Sequence, residues 1–304
     1  MLKPKLKLLI TLVILISSGS TMAQYSKKNF NLKSNVKEVN TRVDIKKNTS
    51  MPIQQTSTTK FDRKGRITEK TVGSEYHTYH YTNNLDTPDS ITISRNNDEI
   101  TIVAEFNKKG NKVREMKYIN GEPKSLVEIS FDSTINTEYK SVSEMPTNEV
   151  IELIVSTFDQ DGCKIKECLY TYEKGQFYNS DPKLIASTFY IYDFNSKLIQ
   201  HIKYTYNEEG VDTRQVAWYN KNEKISKEKS YTSDDFLFRK TTWKYDKYNN
   251  LKDRKVYFFD EDGKITTEEK YSYIYDIYQN WIEMYFFHDD ELFSTTKREI
   301  IYWN

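Results

Sequence analysis

Cysteine is almost missing from this chain: Cys163 and Cys168 are the only two in 304 residues. Five residues along a strand separate them by roughly 17 Å and put them on opposite faces, outside disulfide reach. Without a histidine nearby they also make no zinc site. Histidine is scarce too, at His77, His80, His201 and His288. The HTYH pair lies three apart, so a strand sends its two rings to opposite faces. Only six prolines interrupt the chain, and none falls within the segments that alternate best. Neither sign of charge dominates, with 45 basic and 44 acidic residues. That balance gives no net field to attract nucleic acid or an anionic membrane. Nucleophile elbows, HExxH, phosphate loops and dinucleotide fingerprints are all absent. No cofactor or metal is implied, and no catalytic residue stands out.

Long apolar runs are also missing, except at the start. Lys3, Lys5 and Lys7 precede the nine residues Leu8 to Ile16, and SSGSTMA comes after them. This is the pattern of a signal peptide over residues 1–23, cut before Gln24, with Thr21 and Ala23 at the −3 and −1 sites. The apolar run is too short to span a bilayer, and no cysteine follows it to carry a lipid. The expected location is exported: periplasmic, outer-surface or extracellular. Removing three lysines and no acids leaves 42 basic against 44 acidic residues. Residues 24–56 read as a polar leader that alternates only briefly, in NVKEVNTRVDI.

What the chain has is aromatic side chains: 24 Tyr, 15 Phe and 4 Trp. They supply large burial per residue, so the polar composition does not mean disorder. From Phe61 onward an aromatic followed by Asp or Asn recurs. It stands at Phe61-Asp62, Phe106-Asn107, Phe131-Asp132, Phe158-Asp159, Tyr192-Asp193, Tyr206-Asn207, Tyr245-Asp246, Phe259-Asp260 and Tyr275-Asp276. In five of the nine, the fourth residue after the aromatic is glycine (65, 110, 162, 210 or 263). An Asp or Asn bonds its own downstream backbone, and Gly takes the positive φ that closes such a turn. Asn249 substitutes for Gly, whereas Ser196, Ile135 and Gln279 fit less well. Asn120-Gly121 is a strong two-residue hairpin signal, and Glu173-Lys174-Gly175 and Asn220-Lys221-Asn222-Glu223 are weaker ones. Turns arrive every 12 to 16 residues in the second half, one strand plus one turn each. The fold class is therefore all-β: tandem antiparallel β-hairpin repeats over residues 57–304, forming a long curled meander sheet. A meander this long must twist, close or split to hide its edges.

Tyr204-x-Tyr206-Asn207-x-x-Gly210, Trp243-x-Tyr245-Asp246-x-x-Asn249 and Tyr273-x-Tyr275-Asp276 resemble the YD repeat of the RHS family. The overall pattern is similar to small secreted repeat proteins of Bacteroidetes. The resemblance covers most of residues 190–304 and, more faintly, 61–190. It implies antiparallel sheets that curl or spiral and serve as shells, surface structures or carbohydrate-contacting scaffolds. The chain departs from the family in four turns that lack glycine and in showing no self-cleaving core. Tyr118-Ile119-Asn120-Gly121 is similar to MORN-type hairpin repeats, the runner-up.

The acidic turns Asp159-x-Asp161-Gly162 and Asp260-x-Asp262-Gly263 suggest calcium at first sight. Position twelve is Tyr170 or Tyr271 in place of Glu, which leaves ordinary turn chemistry. Carboxylates scattered among Lys and Arg, as in KITTEEK at 264–270, read as cross-strand ion pairs. The best ligand-binding candidates are Tyr204, Trp218, Trp243, Tyr245, Tyr273 and Trp281, as an aromatic face that stacks on sugar rings. The competing reading is an aromatic ladder that only stabilises neighbouring strands. The function expected is an exported, non-catalytic structural or binding scaffold of the cell envelope, with a cell-surface glycan or another envelope protein as partner. The contrasting reading is an exported carbohydrate-active hydrolase with an unrecognised carboxylate site. Charges on both faces of the segments, such as Glu269 and Lys255, argue against spanning a membrane as a barrel.

Overall fold

The computed structural model describes residues 32–45, 53–82, 87–173, 181–260 and 263–303. The expected signal peptide and the first residues of the polar leader lie outside them. Among the described residues are twenty strands. The first ten are β1 (Val36–Ile45), β2 (Ile53–Phe61), β3 (Ile67–Val72), β4 (Glu75–His80), β5 (Ser90–Arg95), β6 (Asp98–Phe106), β7 (Lys112–Ile119), β8 (Glu122–Asp132), β9 (Thr137–Glu144) and β10 (Glu149–Phe158). The rest are β11 (Lys164–Thr171), β12 (Lys183–Tyr192), β13 (Leu198–Asn207), β14 (Gly210–Tyr219), β15 (Ile225–Thr232), β16 (Leu237–Tyr245), β17 (Leu251–Asp260), β18 (Gly263–Tyr275), β19 (Trp281–His288) and β20 (Glu291–Tyr302).

The architecture is all-β and antiparallel, and it closes. Each strand pairs with its neighbours in sequence, and β1 pairs with both β2 and β20. An open curled sheet would leave β1 and β20 as free edges; here Val39 faces Ile300 and Arg42 faces Lys297 across the seam. Closure satisfies the backbone groups that a free edge would expose. An even number of strands is what lets an all-antiparallel meander close antiparallel. β1 and part of β2 come from the segment read as a polar leader.

Seven connections share one turn geometry. In each, the Oδ1 of an Asp or Asn accepts the N–H groups two and four residues on. Asp62, Asn107, Asp159, Asp193, Asn220, Asp246 and Asp276 all do so, at 2.8 to 3.1 Å. The residue three after the acid then takes positive φ: Gly65, Gly110, Gly162, Ser196, Glu223, Asn249 and Gln279. Ser196 and Gln279, poor matches by residue type, therefore adopt the same conformation as the glycines. Asn220, read as a weaker turn, is a full copy. Asn207 and Asp260 instead pair directly with Gly210 and Gly263 in tighter hairpins.

All seven turns follow an even-numbered strand, so they lie at one end of the barrel. The aromatic just before the acid sits at a register shift in every copy, as at Tyr192, Tyr219, Tyr245 and Tyr275. Such bulges increase local twist and bend the sheet. Repeated hairpin after hairpin, they supply the curvature that closure needs. Tyrosines then tie successive turns together. Tyr275 Oη donates to Asp246 Oδ2 and accepts from Asn250 Nδ2, and Tyr302 does the same with Asp276 and Asn280. Asn280 is only 1% exposed. Its amide also bonds both the N–H and the carbonyl of Lys33, tacking residues 32–35 across this end. A buried amide with all its bonds made costs little.

The register allows one face to be followed round the sheet. One row runs Ile300, Val39, Thr59, Lys70, His77, Ile93, Ile100, Ile119. This face holds Val39, Ile45, Tyr79, Ile91 and Val256 among the larger buried side chains; Leu126 and Val216 are buried on the other. Side chains crowd on a concave surface, so it is the inner face. Its apolar centre is Leu32, Val36, Val39, Phe61, Ile67, Tyr79 and Ile91. Along the closed sheet each strand lies beside only its two neighbours. A barrel this wide encloses space rather than a filled core.

Candidate functional site

The aromatic residues expected to share one face are divided between two. Tyr204 and Trp218 point outward: the register places Tyr204 opposite Arg214, and Trp218 opposite Gln200 and Lys227. Tyr204 meets Phe189 edge-on at 6.2 Å, and the Lys227 ammonium lies 4.8 Å from the Trp218 ring centre. Lys166 over Phe189, Arg214 over Tyr231 and Lys264 over Tyr257 repeat the arrangement. On this outer face, cations already occupy the ring faces, each contact worth about 0.5–1 kcal/mol where exposed.

Trp243, Tyr245, Tyr273 and Trp281 belong to the inner face of β16 to β19. Trp243 stands opposite Arg254, and Arg254 opposite Glu269. Tyr245 donates to the carbonyl of Ile225 at 2.8 Å, and Tyr273 to that of Leu251 at 2.7 Å. With their hydroxyls committed to backbone, both rings are fixed. Tyr273 lies 6.0 Å from Trp281. The six-residue face thus resolves into an inner group of four and an outer pair. The period-two pattern alone could not separate them, because every bulge shifts the parity of the residues beyond it.

Three charged residues that the sequence did not mark as ligand-binding complete the inner patch. Arg254 pairs with Glu269 at 3.0 Å, and Tyr271 Oη donates to the same carboxylate at 3.0 Å. Tyr271 stacks on Phe286 at 4.9 Å. Burial pushes both the Tyr271 and Tyr273 hydroxyls far above the usual phenol range. Arg298 lies over Trp281, 3.3 Å from the ring centre. Its Nε and Nη1 are buried without a hydrogen-bond partner. Burial pulls its pKa down to about 9, with Tyr273 acting in the opposite direction. Its inner-face neighbours Val39, Thr41, Val43, Thr296 and Ile300 carry no charge. An arginine in a basic tail segment gives no sequence signal of this. Lys70 and His77, on the same face, are also held below their usual pKa by burial.

The arrangement offers rigid aromatic surface beside buried guanidinium donors. Its acids are engaged: Glu228 with Arg239 at 2.5 Å, Glu269 with Arg254. The acids of KITTEEK pair across strands, Glu268 with Lys255 outside and Glu269 with Arg254 inside. Among the described residues no group of three His, Cys, Asp or Glu could hold a metal. Cys163 and Cys168 are both free thiols.

No family model matches the chain, and no curated protein matches it. Several solved structures are similar at low score. A protein of unknown function from Bacteroides fragilis is 17% identical, with 43% of this chain and 91% of that one covered and a TM-score of 0.31. A porin-like protein from Bacteroides uniformis is 10% identical over 89% of this chain and 99% of that one, with a TM-score of 0.30. Another, from Bacteroides vulgatus, is 13% identical over the same shares, with a TM-score of 0.31. At such scores the barrel rests on its own strand pairing. Among the described residues no helix is long and apolar enough to cross a membrane.

Proposed function

We propose that the chain is an exported, non-catalytic binding scaffold of the cell envelope, a closed relative in style of YD-repeat shells. Its ligand is a glycan, held on the inner face by Trp243, Tyr273 and Trp281 with Arg254, Glu269 and Arg298. The observation that carries this reading is Arg298: a desolvated guanidinium stacked on Trp281, with two nitrogens unpartnered. Sugar rings present apolar faces to aromatics and hydroxyls to such donors, and a few fixed polar groups orient a ligand on an apolar surface. The shared geometry of seven turns supports the repeat reading. The export reading rests on the leader sequence.

Placement in water rather than lipid is part of the proposal. The outer face carries Arg42, Lys229, Lys240, Lys255 and Lys297 within its strands, whereas a lipid-facing band excludes charge at mid-depth. The hydrolase reading has less support. Glu228 and Glu269 lie three strands apart, about 14 Å, beyond the separation of a glycosidase pair. A glycan array tests the proposal. Saturable binding weakened by Trp281→Ala and by Arg298→Met, with Trp218→Ala unchanged, is expected. Turnover of a bound glycan that Glu269→Gln abolishes overturns it in favour of a hydrolase.

A further inference from the structure

A second inner-face site, independent of the aromatic patch, lies on β13 to β16. Register pairing sets Lys203, Gln215, Ser230 and Arg239 side by side in one row. Thr205 and Thr213 pair directly in the next row. Together with Phe238 they line a cavity of about 140 Å³. The row has long cationic side chains at its ends and short polar ones between. Its ends are three strand spacings apart, about 14 Å, so Lys203 and Arg239 can lean inward over Gln215 and Ser230 toward one bound group.

The lining is biased toward donors. Arg239 Nη2 donates to Glu228, but its Nε is buried without a partner. Lys203 is exposed, and an ammonium offers three donors and no acceptor. Thr205 Oγ1 accepts the Thr213 backbone N–H at 3.2 Å and lies 2.7 Å from Thr213 Oγ1. One hydroxyl proton joins the two oxygens, which leaves the other hydroxyl proton for a ligand. Gln215 adds an amide. Two cations face one carboxylate, and Glu228, only 9% exposed, sits in the adjoining row beneath the Arg239 head. The cavity therefore carries net positive charge and mostly unspent donors.

We propose that this cavity binds a doubly charged tetrahedral oxyanion, sulfate or phosphate, either free or as an ester on a larger ligand. Such a group has acceptors on every side and suits a ring of donors between an ammonium and a guanidinium. Calorimetric titration of the full chain with inorganic phosphate, inorganic sulfate and acetate tests it. Saturable binding of phosphate or sulfate with a Kd of about 1 mM or tighter is expected, at least about tenfold tighter than acetate. Lys203→Gln, an exposed change that leaves the melting temperature alone, should weaken it about tenfold. Arg239→Lys, which keeps a partner for Glu228, should weaken it as well. Glucose 6-phosphate and glucose 6-sulfate separate the sources: tighter binding than the inorganic ion assigns the ester, equal binding the free ion, and either supports the site. Absence of saturable binding by both inorganic ions, equal affinity for acetate, or undiminished binding in Lys203→Gln overturns it. Because none of these residues touches Trp281 or Arg298, failure here leaves the glycan proposal standing, and the reverse holds.

Discussion

Arg298→Met should make the protein more stable while costing it ligand. The guanidinium has Nε and Nη1 buried without partners, and each such group costs about 1–3 kcal/mol. Stacking on Trp281 returns up to about 2 kcal/mol. Taking central values, the residue is a net burden of roughly 2 kcal/mol, in the range seen when buried charges are replaced by apolar side chains of similar volume. Methionine keeps an unbranched stem against the indole and removes both orphan donors. At roughly 2 °C per kcal/mol for a chain of this size, the melting temperature should rise by about 4 °C. Calorimetry, together with urea unfolding, measures both quantities. Glycan affinity should fall in the same variant, the trade expected where a residue is kept for binding rather than for stability. A loss of about 1 kcal/mol or more in Arg298→Met would refute the reasoning, because it would mean that the guanidinium is satisfied in the folded protein.

Other expectations concern the turns and a buried histidine. Glu223 holds φ of 56° in a turn whose equivalents include Gly65, Gly110 and Gly162; Glu223→Gly should stabilise by up to about 1 kcal/mol, read as a higher melting temperature. Tyr302→Phe removes the hydroxyl that joins Asp276 to Asn280, and urea unfolding should show a loss of about 1–3 kcal/mol. His201, whose Nδ1 lies 2.8 Å from Tyr219 Oη, is kept below its usual pKa by burial, against the pull of Glu228. A histidine with a lowered folded pKa contributes nothing above its unfolded value of about 6.5 and costs stability as the pH falls through that value. Wild type should therefore lose more stability than His201→Gln between about pH 7 and pH 5; His77, shifted the same way, leaves the variant some residual sensitivity. Equal slopes in the two proteins would contradict the assignment.

The turns were legible because their chemistry is local. Asp62, Asp159 and Asp246 each bond backbone within four residues, and the sequence carries all the parts. Strand identity came from the aromatic and β-branched segments between them. The same local pattern concealed Asn220, since Glu223 takes positive φ through the geometry its neighbours impose. Closure was not legible: the seam joins VKEVNTRVDI to ELFSTTKREIIY, two polar segments at opposite ends of the chain with no mark of their pairing. The division of the aromatic face was hidden for a related reason. Trp218 and Trp243 look alike in sequence, but Trp218 shares a row with Lys227 and Thr242, the residue next to Trp243. Adjacent positions on a strand face opposite sides, so the two indoles do as well. Arg298 gains its meaning only from the residues across from it, which no spacing along the chain encodes.

Everything on the inner face depends on the β1–β20 seam, and a disulfide tests it most directly. Asn40 and Glu299 face each other across it, their side chains 3.5 Å apart, and directly opposed antiparallel residues lie about 4.5–5.5 Å apart at Cα, within disulfide range. In a chain carrying Cys163→Ser and Cys168→Ser, the pair Asn40→Cys and Glu299→Cys should oxidise to an intramolecular bond in the monomer, seen by mass and by faster migration without reductant. Free thiols after oxidation, or bonds only between chains, would show that the sheet stays open.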